Sequence, residues 1–302
     1  MQVSLENIRL VIADPNPVVR TGLKGALFAM GFRATLETGS YIKLHDLIEQ
    51  DAFDLLIAAT ELESNDVGYL IREMREQRLG SNPFPVVISL LGRPEPDHVK
   101  RIIDSGCDDL LLMPVAPDQL ILRIEKLFHT RKPFVVTHDY SGPDRRARQR
   151  LFDSHSAPML EVPNPLKARS ESGLDGTRLS RMVAEASATL NRMKIERYAV
   201  QIDWLSNHIH GTIRDNTGDV GNALLPHTSR LVQVCEDMIR RMKRSPSEVL
   251  SGPVTELLEI AHRLETTQAQ IRFSELERLN TLAKGLLRSL GSPRPFVAAK
   301  TA

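Results

Sequence analysis

The sequence is short of the features that mark most enzymes and membrane proteins. Among its 302 residues are one tryptophan and two cysteines, and aromatic residues make up 5%. Cys107 and Cys235 lie far apart and lack metal-type spacing, so they read as free thiols in a reducing compartment. No apolar run approaches the ~18 residues a membrane span needs, and the N-terminus lacks the pattern of a secretory leader. The expectation is a cytoplasmic protein. A formal net charge of +1 gives no global pull toward nucleic acid or acidic membranes. There is no Gly-rich phosphate loop, no Cys/His cluster, no nucleophile motif and no ATP-binding kinase module. The expectation is therefore no enzyme activity, no cofactor and no bound metal.

What is present begins with an alternation. The runs IRLVIA (8–13), RATLET (33–38), FDLLIAA (53–59), FPVVISLL (84–91) and DDLLLM (108–113) are strand candidates, several nearly continuous in apolar residues, as in parallel strands covered on both faces. Between them the spacing predicts helices at 17–31, 41–50, 66–78, 94–105 and 117–129. Pro17 and Pro94 suit first helical turns, and Gly106 suits a helix stop. Five βα units predict a doubly wound, five-stranded parallel α/β sheet over 1–130, with functional residues at the carboxyl ends of its strands.

Residues 131–175 hold five prolines and few periodic apolar positions, and read as a Pro-rich basic linker with at most a short strand at 134–137. PFVVTHDY and MLEVP within it are apolar enough to pack on a domain. From 176 to 302 the pattern is helical, with helices expected at 176–213, 219–244 and 254–289 and the segment SPSEVLSGP between the last two. In the first, Leu179, Val183, Ala186, Leu190, Met193, Val200 and Trp204 form a heptad seam broken by Arg197. This half is expected to be an α-helical bundle, with 176–213 available to pair with a second copy and Arg197 setting how halves pair. Met182, Met193, Trp204 and the leucines of 276–290 read as core or dimer seam rather than a ligand pocket.

Three stretches of the N-terminal half, VIADPNPVVRTGL, DLLIAATEL with NDVGYLIREMR, and SGCDDLLLMPVAPDQLILRI, resemble the receiver domain of bacterial two-component response regulators. The resemblance covers essentially 6–130. It implies an acidic pair after the first strand that holds Mg²⁺, a third-strand aspartate nucleophile, a Thr or Ser after the fourth strand and a lysine before a proline after the fifth. The acidic pair falls on Asp14 and Pro15, and the nucleophile on Ala59, which has no oxygen to phosphorylate. The Thr/Ser position falls on Leu90, with Ser89 adjacent. The lysine falls on Met113, with Pro114 retained. Four of five functional positions have lost their chemistry. Glu61 lies in the right loop but issues from a different place on the strand end. Asp14 before Pro-Asn-Pro also fits a turn former and helix cap, the reading favoured over metal binding. The resemblance implies a pseudo-receiver that works by its surfaces, with 94–129, the fourth helix through the fifth, as the expected contact face. Its partners would be other signalling proteins, such as a sensor kinase, a regulator or a histidine phosphotransfer protein, with no membrane or nucleic-acid partner.

Two sharper readings concern the rest of the chain. GPDRRARQR places Arg146 and Arg150 at the Arg-x-x-x-Arg spacing that opens the PilZ cyclic-dinucleotide motif, where planar guanidinium groups would grip phosphate. The helical sequence downstream supplies neither the barrel nor the second element of that motif, so a solvated basic linker is the plainer reading. DYSGPDRR resembles a tail seen after some receiver domains. IAHRLETTQ resembles the histidine phosphotransfer pattern at Ala261, His262 and Leu264, but carries Glu265 where a lysine and Thr266 where a glycine are expected. A Glu beside a phosphohistidine is unfavourable. His208 and His210 form a poorer candidate for the same role. A degenerate phosphotransfer-like bundle fits better than an active one.

Overall fold

A computed structural model describes residues 5–145, 158–171, 176–215, 221–243, 245–266 and 273–291. The chain divides into two compact units: Met1–Gln149 with Ala157–Leu190, and Arg150–Ser156 with Asn191–Ala302.

In the first unit the elements run β1 (Leu10–Ala13), α1 (Pro17–Met30), β2 (Thr35–Thr38), α2 (Tyr41–Glu49), β3 (Leu55–Ala59), a hairpin of β4 (Glu61–Leu62) and β5 (Asn65–Asp66), α3 (Val67–Arg75), β6 (Val86–Leu91), α4 (Pro96–Asp104), β7 (Asp109–Leu112) and α5 (Pro117–His129). The five long-range strands are parallel, in the order β2-β1-β3-β6-β7. Successive residues point to opposite faces, and both are buried. Leu10, Ile12, Leu55, Ile57, Ile88 and Leu90 pack with Leu23 and Leu27 of α1 and Leu120 and Ile124 of α5. Val11, Leu56, Ala58 and Val87 pack against α2 and α3. Each such side chain, fully buried, contributes about 1.5–3 kcal/mol. Pro96, rather than Pro94, occupies the first turn of α4, and Gly106 follows that helix with φ +88°.

The stretch read as an extended linker is folded over its described residues. β8 (Phe134–Val136), β9 (Ser141–Pro143) and β10 (Met159–Leu160) form an antiparallel sheet in the order β10-β8-β9, and α6 spans Pro165–Ser170. β8 falls on the short strand expected at 134–137, whereas β9 and β10 are runs too short for periodicity to reveal. Their anchor is ionic. Asp108, buried, accepts from Arg75 Nη2 and Arg131 Nε at 2.9 Å each. Arg75 also donates to Gly106 O at 2.9 Å, and Arg131 to Phe84 O and Pro163 O at 2.6 Å each. Both guanidinium groups lie over the Phe134 ring, 5.0 and 5.2 Å from its centroid. Burial pulls Arg75 down to about 10, against the charge of Asp108. α6 is tied down by Asn164, whose amide donates to Leu127 O at 2.8 Å and Phe128 O at 3.0 Å. Arg169 Nε lies 3.3 Å from Asp54, which Arg9 also grips.

α7 (Gly176–Asp215) begins in the first unit and continues into the second, which adds α8 (Gly221–Met242), a 3₁₀ turn (Pro246–Leu250), α9 (Ser251–Thr266) and α10 (Phe273–Ser289). One apolar core joins Ile195, Ala199, Ile202, Leu205 and Ile209 to residues of α8, α9 and α10. The heptad seam changes phase: Val200 is buried, but Met193 and Trp204 lie at the edge while the 195/199/202/209 face turns inward. A period of 3.6 drifts off a strict heptad, and helix packing selects the face. Arg197 is half-buried beside this core. The single helix expected over 254–289 is two. Arg278 forms a bidentate pair with Glu256 at 2.7 and 2.8 Å, residues a straight helix would hold roughly 33 Å apart.

Candidate functional site

Parallel strands deliver their last residues to one edge, so the residues singled out on the receiver pattern are brought side by side. Ala13 pairs with Ala58, Ala59 with Leu90, Leu90 with Leu111, and Leu91 with Leu112. Asp14, Ala59, Leu90 and Met113 therefore share the carboxyl edge.

The chemistry at that edge is mostly spent on local structure. Asp14 is buried, its Oδ1 accepts from the backbone N of Asn16 at 2.8 Å, and its carbonyl accepts from Arg20 Nη1 at 2.7 Å. Burial pushes its carboxyl above the usual carboxylate range, opposed by the Asn16 amide and by Arg20. Pro15 is exposed and brings no charge. The turn role expected of Asp14 is present, but the α1 cap is Asn16, whose side chain accepts from Val18 N at 2.9 Å. Leu90 is buried in the α1/α5 face, whereas Ser89 points to the opposite face, in register with Ala58 and Leu110. Met113 is half-buried and joined to Pro114 by a cis peptide. Glu61 is exposed on the β4–β5 hairpin opposite Asp66, which caps α3 through Gly68 N at 2.7 Å. Among the described residues, the one group of three potential metal ligands is His45, Asp46 and Glu49 on α2, away from this edge.

The expected contact face carries exposed apolar side chains. Leu112 on β7 and Leu122 on α5 are 52% and 63% exposed. They line a 510 Å³ surface groove with Leu110, Leu111, Gln119, Arg123 and Lys126.

Arg146 and Arg150 lie outside the described residues. Arg145, next to them, donates to Cys107 O at 2.7 Å and belongs to the tail's attachment. In the second unit His262 is exposed on α9, 3.8 Å from Glu265, while Ala261 and Leu264 are buried. Glu265 accepts from the hydroxyl of Ser229. His210 lies 5.7 Å from the Phe273 ring, and His208 stacks on Trp204. Sequence reasoning did not single out His227, which sits across from His208, nor the Arg75–Asp108–Arg131 cluster. Partners this far apart in sequence leave no spacing signal.

No family model matches the sequence, and no curated protein does. Solved structures do. The signal receiver domain of the response regulator NarL from Mycobacterium tuberculosis is 20% identical, with a TM-score of 0.36, over 42% of this chain and 99% of that one. A CheY-like receiver domain from Methanospirillum hungatei JF-1 is 19% identical, with a TM-score of 0.36, over 39% of this chain and 91% of that one. An orphan response regulator of H. pylori is 20% identical, with a TM-score of 0.35, over 40% of this chain and 95% of that one.

Proposed function

We propose that the chain is a non-catalytic signalling protein, a pseudo-receiver joined to a helical bundle, that binds other signalling proteins without itself being switched by phosphorylation. The observation that carries this reading is the carboxyl edge, where Ala59 stands in the nucleophile's place. Asp14 has no second acid beside it, and Met113 replaces a cation. Phosphoryl transfer needs charge neutralised on three oxygens, and here the carboxylate of Asp14 is bonded internally while Arg20 is engaged by the Asp14 carbonyl. The same reading takes the groove between β7 and α5 as the contact surface, because exposed leucines rimmed by Arg123 and Lys126 fit an apolar anchor flanked by acidic residues.

The test is incubation with acetyl phosphate and Mg²⁺, and separately with a phosphorylated phosphotransfer or kinase donor, read by intact mass. The expected outcome is no added phosphate from any donor. A phosphate adduct lost on Ala substitution of Glu61 or Asp14 overturns the reading. A second reading, a phosphorelay step on His262, draws on that side chain's exposure on α9. It predicts a labile adduct that His262→Ala removes.

A further inference from the structure

Helices α7 and α8 bring two imidazoles into contact. The ring centroids of His208 and His227 are 4.3 Å apart, with planes inclined at 67°. Trp204, one turn before His208, stacks on its imidazole at 5.1 Å with an interplanar angle of 6°. Stacking occupies a face of the His208 ring and leaves its nitrogen-bearing edge open. Neither imidazole has a hydrogen bond to a described residue. His208 is exposed and His227 half-buried, which leaves the pair open to a small solute.

We propose that His208 and His227 form a two-imidazole binding site for a late first-row divalent ion (Zn²⁺, Ni²⁺ or Cu²⁺), its remaining coordination filled by water. Imidazole nitrogens bond such ions at about 2.0–2.1 Å, so two of them on one ion at ordinary ligand angles place ring centroids about 4.5–5.2 Å apart. The observed separation is a few tenths short of that range, a gap closed by a small rotation of either side chain about its Cα–Cβ bond. Neutral imidazole suits these ions over Mg²⁺ or Ca²⁺, which take oxygen ligands. No carboxylate joins the pair to make a cluster of three among the described residues. The ligands come from two helices, so an ion there would link α7 to α8 and stabilise the second unit by mass action.

Trp204 is the chain's single tryptophan, and its indole lies against both imidazoles, with His227 at 6.2 Å. Its emission therefore reports this site apart from any other metal contact. The experiment is a titration of the full chain with Ni²⁺ near neutral pH, followed by Trp204 fluorescence, with Zn²⁺ as competitor and a chelator to reverse it. Saturable quenching is expected, displaced by Zn²⁺, with half-saturation at least about tenfold higher in His227→Gln. No saturable quenching up to about 1 mM Ni²⁺, the weak end of the affinity scale, overturns the proposal. So does quenching undiminished in His227→Gln, which would leave the pair as aromatic packing only. Should that variant lose its helical circular dichroism, the midpoint of thermal unfolding with and without Zn²⁺ decides. A Zn²⁺-induced rise that His208→Gln removes supports the site, and no rise in the unmodified chain overturns it.

Discussion

At the scale of single residues, the carboxyl edge and the buried arginine pair make opposite demands. The edge lacks several groups at once, so restoring one should restore nothing. Ala59→Asp alone should gain no phosphate from acetyl phosphate, because its partners at 15 and 113 are a proline and a methionine. The triple variant Pro15→Asp, Ala59→Asp, Met113→Lys should gain a Mg²⁺-dependent adduct in intact mass spectra. An adduct on the single variant would show that Asp14 and Mg²⁺ suffice. At Asp108 the demand is for charge. Asp108→Asn leaves Arg75 and Arg131 both buried and poorly compensated, a change of the kind that costs about 3–5 kcal/mol. Urea unfolding should show an unfolding free energy lowered by that amount, and an unchanged midpoint would mean the pair is hydrated. Ala59, Leu90 and Met113 were reached through the resemblance to receiver domains, and the strand register sets Ala59 beside Leu90 and ends β7 one residue before Met113. The arginine cluster was not, since its partners lie 33 and 23 positions from Asp108.

Elements show the same division between local pattern and long-range pairing. The five strands and five helices of 1–130 could be placed because each carries its own apolar period and its own stop or start. β8 was placed as the short strand at 134–137, but β9 and β10 could not be, for a strand of two or three residues is defined by its partner. Packing between β9 and the turn after α4 is close enough to test. A Cβ on Gly142 would lie 2.8 Å from the Cα of Gly106, a distance side-chain carbons do not tolerate, and its other nearest neighbours belong to the Tyr140 ring. Gly142→Ala should therefore loosen the tail, seen as faster protease cleavage around 131–145 with little change elsewhere. Unaltered cleavage would show that the backbone shifts at small cost. Between α7 and α8 the titration of His227 sets a pH dependence. Its folded-state pKa lies below 6.5, so below pH 6.5 the unfolded chain takes up a proton that the folded chain refuses. Stability should fall as pH drops from about 6.5 through the folded value and level off below it. His227→Gln should flatten that part of the curve, and a matching slope in the variant would assign the effect to another group.

For the molecule as a whole, the question is where the first folding unit ends. Sequence reading placed the edge at 130, where strand–helix alternation stops, because a proline-rich stretch without period looks like a connector. Burial argues for a later boundary. Phe134, Val136 and Leu166 are nearly inaccessible, and Val135 and Leu160 are close to it. At about 1.5–3 kcal/mol for each fully buried side chain, their combined contribution rivals the ~5–15 kcal/mol that separates a folded domain from its unfolded chain. Cutting at 130 also removes Arg131 and the Phe134 ring, opening Asp108 and Arg75 to water. A fragment of residues 1–130 should thus be poorly soluble or melt far below a fragment of residues 1–171, which keeps all three strands of the tail sheet and α6. The comparison is a pair of thermal melts by circular dichroism. Equal midpoints would mean that the tail rests on a domain complete without it. A wide gap would make the tail part of the fold and join any partner bound at β9 or α6 to the stability of the sheet.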